Sequence, residues 1–152
     1  MRQRPILLAA AVLFIGAAWQ ETGGSGVHET HARAEAARLR THFDVVDSEL
    51  RARDISMLTG EQQDRRAQLI EWLRDYRREG RFPLNDRYAD AAVPIFRDAD
   101  GTLCAMAYLV DRSGRGDIVD RVAASRNTAY IRDLVDDPEL VAWLDAYGLS
   151  AD

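Results

Sequence analysis

A chain of 152 residues has room for one domain with its own core and not for two. Hydrophobic residues make up 47% and charged residues 30%, a globular balance that argues against wholesale disorder. All 20 basic residues are arginine, which excludes lysine Schiff-base chemistry and the lysine of a phosphate-binding loop, and the formal charge of −5 argues against nucleic acid or an anionic membrane surface as partner.

The chain opens with MRQRPILLAAAVLFIGAAWQ, in which Arg2 and Arg4 precede an apolar run from Pro5 to Trp19. Gly16, Ala17 and Ala18 are small residues of the kind a signal peptidase reads, so residues 1–18 are expected to be a cleavable export signal. The run falls short of the roughly 20 apolar residues that span a bilayer. An uncleaved N-terminal anchor is the alternative. Cleavage removes two arginines and no acid, leaving 18 basic residues against 25 acidic and a charge of −7. The expected location is the periplasm or the cell exterior, with no membrane span after cleavage. Cys104 is the only cysteine, so no internal disulfide is available and the core must hold the fold.

Residues 19–27, containing Gly23-Gly24-Ser25-Gly26, read as a flexible linker to a single domain over 28–149. A long amphipathic helix is expected over roughly 28–53, with Leu39, Phe43, Val46 and Leu50 on one face. Thr59-Gly60-Glu61-Gln62 is a capping box opening a second helix that Gly80 closes, and Leu69, Trp72, Leu73 and Tyr76 are its apolar stripe. Its arginines alternate with acids, the pattern of a solvated face laced with ion pairs; a basic docking patch is the alternative.

An irregular connector follows, then Val93–Arg97, where Pro94 confines any strand to an edge or a strand start. Two periods compete over 102–110. Leu103, Met106, Ala107 and Val110 fit helical spacing, Thr102 is placed to cap it and Ser113-Gly114 to stop it, so a helix over about 103–112 is expected. Asp117 is expected to cap the next helix, with Ile118 and Val122 sharing a face, and a break is expected near Ser125–Asn127, either residue serving as a new cap. Asp137-Pro138 caps the last helix, 138–147, which presents Leu140, Val141, Leu144 and Tyr147 and ends at Gly148-Leu149 in the Schellman manner. The fold class is mainly α: a small domain of five or six helices with at most one short β-hairpin near residues 93–104.

From about Thr59 onward the chain resembles a group of uncharacterised secreted bacterial proteins. The residues that carry this are Gly101-Thr102-Leu103-Cys104-Ala105, Ser113-Gly114, Arg126-Asn127, Trp143-Leu144 and Gly148-Leu149. The resemblance implies export and a shared fold, and it brings no activity with it.

Four constellations carry possible chemistry. Asp98-Ala99-Asp100-Gly101 matches the middle of a calcium loop, but the outer ligand positions fall on Phe96 and Ala107, which have no side-chain oxygen. With Thr102 as cap, Cys104 would sit in the first helical turn, where the backbone N–H groups and the dipole lower a thiol pKa, and His42 is the only available base. The competing expectation is burial of Cys104 as a small hydrophobe. His28, His31, Glu35 and His42 fall within a roughly 60° arc if one helix runs through them, a donor set suited to zinc or copper. Arg115-Gly116-Asp117 spells a cell-adhesion tripeptide, which in so arginine- and aspartate-rich a chain is a chance match. No catalytic set assembles, and no cofactor is implied. The reading is a non-catalytic module with a protein partner in the cell envelope or outside the cell. Trp72 and Trp143 are candidate anchors for that partner, with core packing as the competing role.

Overall fold

The computed structural model describes residues 25–85 and 93–151; the expected signal 1–18 and the first six residues of the linker lie outside them. Five α-helices and one 3-10 turn follow in order: α1 Ser25–Ala52, α2 Gly60–Glu79, α3 Ala105–Arg112, α4 Gly116–Arg126, the turn Ile131–Leu134, and α5 Pro138–Ala146. Among the described residues the β-type pairing is a single antiparallel bridge between Arg97 and Leu103. The mainly helical class expected from the sequence is the class observed. α1 begins at Ser25, so residues 25–27 of the expected linker are helical.

Local chemistry sets most of the boundaries. Thr59 accepts from the Gln62 N–H while the Gln62 side chain accepts from the Thr59 N–H, completing the capping box of α2. Gly80 ends α2 at φ 64°, a left-handed conformation that costs an L side chain about 1 kcal/mol or more. Asp137 accepts from the N–H groups of Glu139 and Leu140, and Pro138 takes the first turn. At the far end of α5, Leu149 N–H reaches Leu144 O and Gly148 N–H reaches Asp145 O, both at 2.9 Å, the paired bonds of a Schellman motif. Leu149 packs back into the core.

α1 packs along α2, α2 against α3 and α5, and α3 against α4. The core takes Leu39, Phe43 and Leu50 from α1; Leu69, Ile70, Leu73 and Tyr76 from α2; Met106, Ala107, Leu109 and Val110 from α3. Phe96, Ile118, Val119, Val122, Ile131, Leu134, Leu140, Trp143, Leu144 and Leu149 complete it. Burying each large aliphatic side chain favours folding by about 1.5–3 kcal/mol before chain entropy is counted. Phe43, Tyr76 and Phe82 form an aromatic triangle with centroids 5.4–5.9 Å apart, joining α1, α2 and the segment that follows α2.

Three expected caps are corrected. α3 starts at Ala105, and its cap is Cys104 rather than Thr102. The reason is non-local: Cys104 N–H bonds Phe96 O at 3.0 Å and Asp98 N–H bonds Thr102 O at 3.0 Å, so the chain stays extended through Cys104. Arg115, not Asp117, occupies the cap position of α4, with no side-chain cap bond; Asp117 lies inside the first turn. Neither Ser125 nor Asn127 opens a new helix. Asn127 instead pairs with the connector: Oδ1 accepts from Arg97 N–H, Nδ2 donates to Arg97 O, and its own carbonyl accepts from Phe96 N–H, all at 2.8 Å. One asparagine thereby gives that connector the hydrogen bonds a neighbouring strand would.

Candidate functional site

Cys104 is where the sequence placed its nucleophile candidate. Its Sγ accepts from the Ala107 N–H at 3.5 Å, so the thiol serves as the cap of α3. Part of the residue reaches solvent, but the thiol itself is enclosed against the core, and that burial pushes its pKa up to about 11 in spite of the helix N–H groups that act the other way. At neutral pH it is a protonated thiol, the weakly nucleophilic form. No hydrogen bond joins it to His42. The Nε2 of His42 is buried without a partner, its ring meets Phe43 edge-on at 5.6 Å, and burial, reinforced by Arg38, lowers its pKa.

α1 does run unbroken through 28–42, the backbone condition for the histidine arc. The side chains of His28, His31 and Glu35 lie outside those described, so only His42 of that set has a described environment. Among the described residues, no three His, Cys, Asp or Glu side chains gather in a group that could hold a metal ion. Asp98, the leading acid of the calcium-like stretch, is taken up by backbone: Oδ1 accepts from the N–H groups of Asp100 (3.0 Å) and Thr102 (2.7 Å), and Oδ2 from Leu84 (3.0 Å). The loop is an Asp-pinned turn.

The arginines of α2 do not form a free basic patch. Arg65 pairs with Glu61 and Arg78 with Asp75 along the helix, as the spacing predicts. Others cross to α1: Arg74 meets Asp47, Arg77 meets Asp44, and Arg51 of α1 meets Glu71. The Arg-Gly-Asp tripeptide is closed on itself. Arg115 Nε and Nη2 grip the Asp117 carboxylate at 2.9 and 2.8 Å, a pairing that holds its pKa down to about 2.

Two features were missed in the sequence. Arg66 of α2 is only 2% exposed; Nη1 donates to Gly148 O at 2.9 Å and Nη2 to Leu50 O at 3.2 Å. Its Nε has no partner. One guanidinium therefore ties the C-terminal ends of α1 and α5 to α2, facing the negative poles of two helix dipoles. The second is a groove of about 330 Å³ between α2, the α3–α4 turn and α5, lined by Arg65, Ser113, Arg115, Ala142, Trp143, Ala146 and Tyr147. The Trp143 and Tyr147 rings stack at 4.6 Å with 27° between planes, and Trp72 lies 6.3 Å from Tyr147. Trp143 is buried, and its Nε1 donates to Ser113 Oγ at 2.8 Å, so its main role is core packing, with the ring also lining the groove. Half-buried Trp72 lies beneath the Arg112 guanidinium, 6.0 Å from the ring centre.

Compared with known proteins, the chain matches no family model, and no curated protein or solved structure matches it significantly.

Proposed function

We propose that the chain is an exported, non-catalytic helical domain that acts through contacts with a protein partner, in the periplasm or outside the cell. The single observation that carries this reading is the α2–α5 groove. Its rim is arginine and its floor is Trp143 and Tyr147, with Trp72 alongside, the residue types that dominate the energetics of protein interfaces. The sealed thiol of Cys104 weighs against a thiol enzyme, and the basic start and apolar run of residues 2–19 support export.

Capture from the source cell envelope tests the reading, with wild type compared against Ala142→Glu, which puts a carboxylate into the groove from an exposed lining position. A partner held by wild type and lost with the variant is expected. Captured sets that are the same for both, or no reproducible capture, would overturn it. Rapid alkylation of Cys104 in the folded protein at neutral pH would restore the thiol-enzyme reading.

Metal binding by His28, His31, Glu35 and His42 is a second reading, supported by the continuity of α1 through all four and by the unpartnered Nε2 of His42. Zinc titration by calorimetry is its test. Heat above the buffer blank that disappears in His31→Ala supports it, and no such heat disposes of it.

A further inference from the structure

We infer that Met57 is a reversible oxidation site: a peroxide converts its thioether to the sulfoxide while the chain stays folded, and a sulfoxide reductase restores it. The inference is independent of the groove and of the protein-contact role. Its ground is the way the fold distributes sulfur. The side chains that carry it are Met1, Met57, Cys104 and Met106, and Met1 lies outside the described residues. Of the other three, Met57 is the one that faces water: it is 87% exposed, against 7% for Met106.

Backbone geometry holds Met57 out. It sits between α1 and α2, in a turn that the Leu58 N–H closes on Ile55 O at 2.9 Å. On one side Asp54 Oδ1 accepts from the Ser56 N–H at 2.9 Å. On the other, Gln63 Nε2 donates to the carbonyls of Ile55 at 3.3 Å and Leu58 at 3.0 Å. Leu58 turns inward against Gly148. With both neighbours fixed, the Met57 side chain projects into solvent, and its sulfur accepts no hydrogen bond from a described residue.

The step is a two-electron transfer of one oxygen. A lone pair on Met57 Sδ attacks one oxygen of hydrogen peroxide, the O–O bond breaks, and the departing hydroxide takes the proton left on the transferred oxygen, ending as water. Sulfur is oxidised and peroxide reduced, with no base or metal required, so exposure governs the rate. The return step takes two reductase thiols, which leave as a disulfide with one water.

The other sulfurs are guarded. The Cys104 thiol is enclosed against the core and caps α3 through the Ala107 N–H. Burial pushes its pKa up to about 11, so at neutral pH it is protonated, the slow form toward peroxide. Met106 meets peroxide only when its part of the core opens. A sulfoxide there would put a polar group among packed apolar side chains; at Met57 it meets water and costs no packing.

The test is peptide mass mapping of the full chain after hydrogen peroxide at neutral pH, folded and in urea, with Met1 read in its own peptide. In the folded chain the Met57 peptide is expected to gain one oxygen, the Met106 peptide at least about tenfold more slowly, and Cys104 to stay reduced. In urea the two methionines are expected to react alike. The oxidised protein is expected to melt within about 2 °C of the untreated one. A pair of reductases, one for each sulfoxide epimer, is expected to return the Met57 peptide to its original mass. Met57→Leu is expected to remove the fast phase and leave the thermal transition in place. Equal rates for Met57 and Met106 in the folded chain, oxidation of Cys104 ahead of Met57, a melting temperature that falls in step with Met57 oxidation, or a sulfoxide that the reductases leave in place would each overturn the inference.

Discussion

Two joints hold α2 to its neighbours, and they are built in opposite ways. Along the outer α1–α2 seam, Asp44, Asp47, Arg51, Glu71, Arg74 and Arg77 form a chain of cross-helix ion pairs in solvent. At the inner joint a single guanidinium, Arg66, meets only backbone carbonyls. The seam has many charged contacts, each weakened by water and salt and by the entropy of ordering long side chains. The inner joint has few, but the Leu50 bond is buried and the Gly148 bond partly so. Counting ion pairs would rank the seam first; desolvation ranks Arg66 first.

Replacing Arg66 is the most severe way to test that ranking. Arg66→Met keeps most of the volume and strands the buried carbonyl of Leu50 and the partly buried carbonyl of Gly148, where a buried acceptor left unmade costs about 1–3 kcal/mol. A loss of about 3 kcal/mol is expected, read as a fall in melting temperature on the order of 10 °C and insensitive to salt. A loss below about 1 kcal/mol would sink the claim that this joint dominates. Gly148→Ala attacks the same joint through the backbone. Gly148 has φ 62°, and an added Cβ would lie 2.5 Å from Leu58 Cδ1. Left-handed strain and the displacement of Leu58 together predict a loss of about 2 kcal/mol, measured by urea unfolding at unchanged slope.

Asp47 is the seam's most constrained member, 17% exposed and bonded to both Arg51 and Arg74 at 3.1 Å. Asp47→Asn is expected to cost about 1 kcal/mol in low salt, shrinking toward zero near 1 M salt as the pairs are screened. If the loss is unchanged at high salt, the seam is acting by packing and the contrast with Arg66 weakens.

How much of this was readable follows the range of the interactions. The capping box at Thr59, the Asp137-Pro138 start and the Gly148-Leu149 stop are contacts within six residues, and each stands where the sequence placed it. The start of α3 was misplaced because the bridge between Arg97 and Leu103 holds the chain extended, which no helical period within 102–110 reveals. On α5 the sequence reading put Val141 with Leu140, Leu144 and Tyr147 on the presented face, yet Val141 is 39% exposed; for Trp143 it weighed core packing against an anchor role, and Trp143 is core. Leu140, Trp143, Leu144 and Tyr147 follow i, i+3, i+4, i+7, so that stripe was available to periodicity alone. Arg66 was not: its acceptors are backbone carbonyls 16 and 82 residues away, and an arginine among arginines carries no mark of burial. The groove shares this opacity, since Arg65, Ser113 and Tyr147 come together only through packing.

The smallest expected effect sharpens the comparison from another side. His42 and Arg66 each have a buried nitrogen without a partner, Nε2 in one and Nε in the other. Burial, with Arg53 beside it, pushes the Arg66 pKa down, but a guanidinium keeps its proton and must be solvated by carbonyls. An imidazole has an alternative, which is to give the proton up. Burial and then Arg38 lower the His42 pKa below 6.5, while Glu49 acts in the opposite direction. The folded state therefore binds fewer protons here than the unfolded chain. His42 is neutral in both states well above pH 6.5, and its contribution to stability is fully present there; it is lost as the pH falls below 6.5 and through the lowered folded value. Melting temperatures at pH 7.5 and 5.0 for wild type and His42→Gln isolate this, because carboxylate effects are common to both proteins. Wild type is expected to lose more than the variant on acidification. Equal losses would mean that the buried Nε2 is solvated in both protonation states, and that of these two nitrogens only the Arg66 Nε is held away from water.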